Sequence, residues 1–227
     1  MNDADKIHAL GLFAARDGRS IKNIAILDGF AYATDGRIAI KMKLGDLRRN
    51  EVPNNYPIDK LKSILNDADE CNATNVIADE DFKPIDDGFM QYARGERNQH
   101  NRDYLERYKA MVCPCCGGTV YFDNEKDKLV EEMEPQDKFD IRDVRKSIEL
   151  DFGDEKVYVG MSYLHMIIAV FNNDYNLRFA PCKVNDEKRK LLCFKSTDGD
   201  LTGVLMPMYC PTDDNPLTDY NIIVYPF

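Results

Sequence analysis

The chain has 227 residues, with 40 Asp and Glu against 30 Lys and Arg, no Trp, and a hydrophobic fraction of 44%. That apolar content excludes a predominantly disordered chain, and the length allows one large domain or two small ones of roughly 100–150 residues. No run approaches the ~20 apolar residues needed to cross a bilayer, and MNDADKIHALGLFAARDG opens with acids and a Lys, so neither export nor membrane insertion is expected. Seven cysteines is an odd number, and Cys71, Cys182, Cys193 and Cys210 are scattered singly, which fits a reducing, cytoplasmic setting. The net charge of −10 opposes indiscriminate coating of nucleic acid. Residues 1–49 nevertheless carry nine Lys and Arg against six acids. A basic face on an acidic body is compatible with a polyanion held in one place, and equally with plain uneven surface charge.

A first helix is predicted over about 4–16, where Ile7, Leu10, Phe13 and Ala14 recur at helical spacing, Asp3 or Asp5 supplies a cap and Gly18 closes it. Next, alternating β-formers between Ile21 and Leu44 are broken at Asp28-Gly29 and Asp35-Gly36. Asp-Gly supplies the positive φ of a tight turn, so a three-stranded meander over 21–44 follows. Pro57 opens a second helix with Ile58, Leu61, Ile64 and Leu65 on one face, and a short strand covers 75–78. Between 84 and 136 polar residues and glycines dominate, which reads as an insertion.

Periodicity returns near Phe139. Strands are expected at 147–152 and 156–159, then a helix capped by Ser162 that buries Leu164, Ile167, Ile168 and Phe171. Further strands are expected at 176–180, 191–196, 201–206 and 220–225. Thr34-Asp35-Gly36-Arg37-Ile38 is echoed by Thr197-Asp198-Gly199-Asp200-Leu201, each between strands. The echo suggests a duplicated helix-plus-sheet unit, although Thr-Asp-Gly is also simply a good turn tripeptide.

The segment NIAILDGFAYATDGRIAI, Asn23 to Ile40, resembles the strand-turn-strand of bacterial DNA polymerase III β sliding clamps. Tyr163-Leu164 opening a helix, followed by strands and Gly203-Val-Leu-Met-Pro-Met208, is similar to the last helix and closing strand of those clamps. The resemblance implies an α+β fold of DNA-clamp-like repeats, each an amphipathic helix packed on antiparallel sheet. It divides the chain into lobes at 1–83 and 137–227, separated by the insertion 84–136. It also implies a non-enzymatic processivity factor that binds duplex DNA without sequence preference, partners a DNA polymerase or other replication protein, and assembles as a homo-oligomer. Lys6, Arg16 and Arg19 on or beside the first helix, and Lys60 and Lys62 on the second, become candidates for facing DNA phosphates. Met206, Pro207 and Met208 match the family's peptide-capturing pocket, where flexible Met side chains accept several ligands. The chain departs from the family in being too short for three lobes and in running on past Met208. The alternative reading is a protein-binding module on a clamp-like fold, whose zinc-ribbon-like insertion 84–136 contacts a protein partner and which encircles nothing.

Cys113-Pro114-Cys115-Cys116-Gly117-Gly118 resembles a zinc-ribbon knuckle, in which two thiolates three residues apart share one metal. A structural zinc takes four ligands, and His100, Cys71 or Cys115 are the residues at hand to complete the set. Catalysis finds little support. Only His8, His100 and His165 are present, and phosphate-loop, Gly-x-Ser-x-Gly and His-Glu-x-x-His motifs are missing.

Overall fold

Asp28-Gly29 and Asp35-Gly36 turn the chain as the sequence predicts. The protein is represented by a computed structural model that describes residues 1–15, 21, 23–47, 49–113, 116–134, 136, 138–183 and 191–207, and the backbone of 218–223 and 225–226. Strands β1 (Ala25–Leu27), β2 (Phe30–Thr34) and β3 (Ile38–Lys43) form the expected antiparallel meander. Asp28 and Gly29 both have positive φ, 54° and 79°, as a two-residue primed turn requires. In the second turn only the glycine is left-handed, and the Asp35 carboxylate holds the loop by accepting from the Arg37 amide at 2.9 Å.

Helix α1 (Asp3–Gly11) is capped by Asn2, whose side chain accepts from the Asp5 amide at 2.9 Å, not by Asp3 or Asp5. It ends at Gly11, short of the predicted residue 16, because glycine is a poor helix former. Gly18 lies outside the described residues. The Asp3 carboxylate instead receives the amides of Gly45, Asp46 and Leu47 at 2.8, 2.9 and 3.0 Å, which hold it below the ordinary carboxylate range. Helix α2 (Ile58–Glu70) starts after Pro57 and buries Leu61, Leu65 and Ala68, and β4 (Asn75–Val76) follows.

The carboxy-terminal part contains β8 (Ser147–Asp151), β9 (Lys156–Gly160), α4 (Met161–Phe171), β10 (Leu177–Cys182), β11 (Leu191–Ser196) and β12 (Leu201–Leu205), close to prediction. Ser162 does not cap α4: Gly160 holds that position and Ser162 is buried in the first turn. The expected tail strand is two, β13 (Thr218–Ile223) parallel to β8 and β14 (Tyr225–Pro226) against β4.

The main sheet has the order β1-β2-β3-β12-β11-β10-β4-β14, and the meander and the carboxy-terminal strands therefore meet at β3 and β12. The Thr-Asp-Gly echo equates Ile40 with Gly203, Arg37 with Asp200 and Lys43 with Met206. Those residues are also partners across the seam. Ile40 pairs with Gly203, the Lys43 amide donates to the Asp200 carbonyl and the Met206 amide donates to the Arg37 carbonyl, both at 2.8 Å. The turns match as well, since the Asp200 amide donates to Asp198 at 3.0 Å as Arg37 does to Asp35. The seam thus carries a local two-fold axis at the Ile40–Gly203 pair. The two lobes expected at 1–83 and 137–227 are one compact unit, Met1–Ile85 with Arg145–Phe227, built on this shared sheet.

Both faces of β3 and β12 are buried, as central strands covered on two sides require. On one face Leu61, Leu65 and Ala68 of α2 pack with Ala39, Cys193 and Val204. Asp69 at the end of α2 accepts from Lys41 and, at 2.7 Å, from the Thr202 hydroxyl. The alternate residues Ile38, Ile40, Met42, Leu192, Phe194, Leu201 and Leu205 point to the other face by the pleat and are also buried. Phe13, two residues past the end of α1, stacks on Phe171 of α4 with ring centroids 5.5 Å apart. Each helix also reaches the opposite half's turn: Lys6 lies 3.6 Å from the Asp200 carboxylate, and the Tyr163 hydroxyl donates to Asp35 at 2.5 Å.

The smaller unit spans Asp86–Val144, so residues 137–144, expected in the carboxy-terminal lobe, belong to it. The first part of the expected insertion is helical: α3 runs Asp79–Arg107 through Pro84, Gly88 and Gly95, breakers that mask it in the sequence. An antiparallel sheet of β5 (Tyr108–Val112), β6 (Thr119–Asp123) and β7 (Lys128–Val130) follows, then a 3-10 turn at Ile141–Asp143. Arg107 donates to both oxygens of buried Asp123, at 3.0 and 2.8 Å, and pairs with Glu134 at 2.9 Å. Among the described residues no helix is long and apolar enough to cross a membrane.

Gly203 lies under the buried Phe194 ring, and a Cβ there would sit 2.1 Å from its Cζ. Gly203→Ala is therefore expected to lower stability by roughly 1–3 kcal/mol in urea unfolding, and added Phe194→Leu to recover part of the loss. Arg107, above all, together with the Lys126 and Glu125 amides, brings the Asp123 carboxyl down to about 2. An unfolded Asp protonates near pH 3.9, so the stability from this pair is intact above about pH 4 and is lost as pH falls to 2. Hydrogen exchange of the β6 amides is expected to accelerate over that window, and Asp123→Asn to remove that pH dependence at the cost of faster exchange at pH 5.

Candidate functional site

The closing strand β12 ends at a groove. Ala39 and Val204, register partners on the α2 side of the seam, form part of its floor, and Leu61 and Ile64 of α2 form one wall. Leu191, Ile21 and Pro57 complete an apolar cavity of about 310 Å³. This is at the small end of ligand sites, enough for one or two large apolar side chains. Met206 and Arg37 stand at its mouth, fixed together by the Met206 amide donating to the Arg37 carbonyl at 2.8 Å. Met206 is 41% exposed, so it is presented at the surface and not sealed in the core. Arg37 and Lys60 are exposed on the rim, and no acidic side chain lines the cavity among the described residues. The neighbouring carboxylate of Asp35 is engaged by the Arg37 amide and the Tyr163 hydroxyl. An apolar hollow edged by cations favours an apolar segment that carries carboxylates.

The structure brings together three residues that the sequence treats separately: Met206 from the pocket motif, Lys60 from the proposed DNA face, and Arg37 from the echoed turn. Pro207 follows half-buried, and Met208 lies outside the described residues. Arg37 was not singled out as a site residue. Its signal was the only non-conservative position in the echo, Arg37 against Asp200.

Of the expected DNA-facing set, only Lys6, Lys60 and Lys62 are among the described residues. Lys6 is 7% exposed, with its ammonium donating to the Lys43 carbonyl at 2.7 Å, so it holds α1 to the seam instead of meeting solvent. Its spacing to Leu10 and Phe13 puts it on the buried stripe. Lys62 is half-buried and paired with Asp28 at 2.8 Å. Lys60 and Lys62 belong to α2, which covers one face of the seam, whereas Lys6 belongs to α1. Arg16 and Arg19 lie outside the described residues. α4, the helix of the second half, contains no Lys or Arg, and the exposed positions Ala4, Asp5 and His8 of α1 include no Lys or Arg.

In the smaller unit, Cys113 and Cys116 sit at the turn joining β5 and β6. The Cys113 amide donates to the Gly118 carbonyl at 2.7 Å, and Gly117, at φ +75°, returns its amide to the Cys113 carbonyl at 2.9 Å. These two backbone bonds join Cys113 to Gly117 and Gly118, while Pro114 and Cys115 lie outside the described residues. His100 packs beside Phe139, with ring centroids 6.2 Å apart. Cys71 belongs to the larger unit, where its thiol donates to the Pro181 carbonyl at 3.6 Å. Among the described residues no group of three or more His, Cys, Asp or Glu is arranged to hold a metal ion. Comparisons of the chain with protein-family models, with curated proteins and with solved structures found no match.

A groove residue and a core residue respond differently to truncation. Met206→Ala is expected to change urea-unfolding stability by less than about 0.5 kcal/mol, whereas Val204→Ala, buried two residues earlier, is expected to cost about 1–3 kcal/mol.

Proposed function

We propose that this protein is a non-enzymatic partner-binding module on a clamp-like scaffold of two equivalent halves, and that the Met206 groove captures an extended acidic and apolar segment of a partner protein. The observation that carries the reading is the groove itself: an apolar cavity with exposed Met206 at its mouth, Arg37 and Lys60 on its rim and no acid in its lining. It lies at the end of the Gly203–Met208 segment, where the resemblance to sliding clamps implies peptide capture. The reciprocal seam bonds between Arg37 and Met206 and between Asp200 and Lys43 support a duplicated scaffold. A replication protein is the partner that the resemblance implies.

The duplex-DNA reading rests on Lys6, Arg16 and Arg19 on or beside the first helix and on Lys60 and Lys62 on the second. It is weakened because Lys6 is buried and α4 contains no cation. The partner-binding alternative therefore becomes the leading one.

Three fluorescein-labelled peptides of the same length, each with two Leu and flanked by Asp, Gln or Lys, test it by anisotropy on the full chain. The Asp peptide is expected to bind most tightly and the Lys peptide most weakly. Arg37→Glu with Lys60→Glu is expected to reverse that order, about tenfold in each direction, and Met206→Asp to weaken all three. Equal binding of the three, or none, overturns the groove reading. Salt-dependent binding of a labelled 30-base-pair duplex, unchanged by Arg37→Glu with Lys60→Glu, restores the DNA reading.

A further inference from the structure

Three cysteines that are far apart in the sequence converge at one end of α2. Cys71 follows the helix as its carboxy-terminal cap, Cys182 ends β10, and Cys193 lies in the middle of β11. Cys182 and Cys193 belong to the cluster packed under α2, and the Cys193 thiol donates to the Ala68 carbonyl at 3.5 Å, one turn before Cys71. The Cys71 thiol donates to the carbonyl of Pro181, the residue before Cys182, at 3.6 Å, and none of the three is in a disulfide. Their exposure differs in a useful way: Cys182 and Cys193 are buried, while Cys71 is half-buried and lines an open cavity of about 510 Å³. Arg178 and Lys195 line the same cavity, and the Lys195 ammonium donates to the Cys71 carbonyl at 2.5 Å.

We propose that Cys71 is a peroxide-reactive thiol, entered through this cavity, and that Cys182 resolves its oxidised form as a disulfide. In the first step the Cys71 thiolate attacks one oxygen of hydrogen peroxide. A sulfur–oxygen bond forms, the oxygen–oxygen bond breaks and hydroxide leaves, so sulfur is oxidised by two electrons as the peroxide is reduced. In the second, the Cys182 thiol gives up its proton and attacks the Cys71 sulfenic acid. The sulfur–sulfur bond forms, the sulfur–oxygen bond breaks, and the departing hydroxide takes the proton as water.

Geometry assigns the roles. Only Cys71 opens to the cavity, and its cations Lys195 and Arg178 favour both a thiolate and a departing hydroxide. The neighbouring Cys182 and Cys193 thiols, together with the Lys195 charge, hold Cys71 below the ordinary thiol range, while Cys71 and burial push Cys182 and Cys193 up. Cys182 sits at a strand end and Cys71 at a helix end, so both can close to the ~2.05 Å of a disulfide. Cys193 lies in mid-strand, paired to β10 and β12, and cannot shift without breaking the ladder.

The test uses the full, reduced chain treated with equimolar hydrogen peroxide, sampled over minutes by non-reducing peptide mass mapping with and without dimedone. The expected result is a Cys71–Cys182 disulfide that forms at least tenfold faster than any modification of the exposed Cys116. Cys182→Ser is expected to leave Cys71 as a dimedone adduct. The proposal is overturned if Cys116 is oxidised as fast as Cys71, if Cys71 joins another cysteine, or if Cys71 stays a persistent sulfenic acid in the unaltered chain. The unaltered chain decides the matter even if Cys182→Ser does not fold.

Discussion

The larger unit depends on the antiparallel pairing of β3 with β12. These strands lie about 160 positions apart in the chain, so their register has to be specified by side chains and turns and not by a short loop. Three features specify it. The Asp35 and Asp198 turns set where each strand starts, and Gly203 leaves room for the Phe194 ring across the sheet. Reciprocal amide-to-carbonyl bonds then close both ends of the seam, Lys43 to Asp200 and Met206 to Arg37. A slip of one residue would turn Ile38, Ile40 and Met42 to the α2 face and bring Lys41 to the other, which both packing layers oppose.

The same seam creates the groove. The Met206–Arg37 bond that ends the pairing also holds a thioether and a guanidinium side by side at the mouth of an apolar hollow. At the equivalent end, Asp200 lies opposite Lys43 and is approached by Lys6, so the charges are satisfied within the protein. Two ends of one symmetric seam therefore have opposite uses, and the difference traces to a single position in the echoed turn, Arg37 in one half and Asp200 in the other. Lys6 then reads as a structural cation that occupies the acidic end, while the basic end remains available to a ligand.

Much of the fold was legible in the sequence, and the reasons are local. Asp-Gly turns and alternating β-formers specify the meander and an apolar stripe specifies α2, whereas the Thr-Asp-Gly echo hints at duplication without showing that β3 and β12 pair. Three things were not legible. α3 has no strong apolar stripe and contains Pro84, Gly88 and Gly95, so nothing local distinguishes it from a polar loop. The convergence of Cys71, Cys182 and Cys193 depends on β10 lying beside β11 and on where α2 crosses them, which is a tertiary fact. The distribution of cations also depends on which sheet face each helix covers, and periodicity within a helix does not report that. Of the candidate site, Met206 and Lys60 were found for different stated reasons, and their meeting at Arg37 came only from the fold.

The central claim, that the basic end of the seam is a docking groove for an acidic and apolar segment, is tested most directly by methyl NMR on the full chain. With Met, Ile, Leu and Val methyls labelled, a peptide of two Leu flanked by Asp is added in steps. The account predicts saturable shifts confined to Met206, Ile21, Ile64, Leu61, Leu191 and Val204. Shifts centred on α1, α4 or the β5–β6 hairpin, with those groove methyls unmoved, would contradict it.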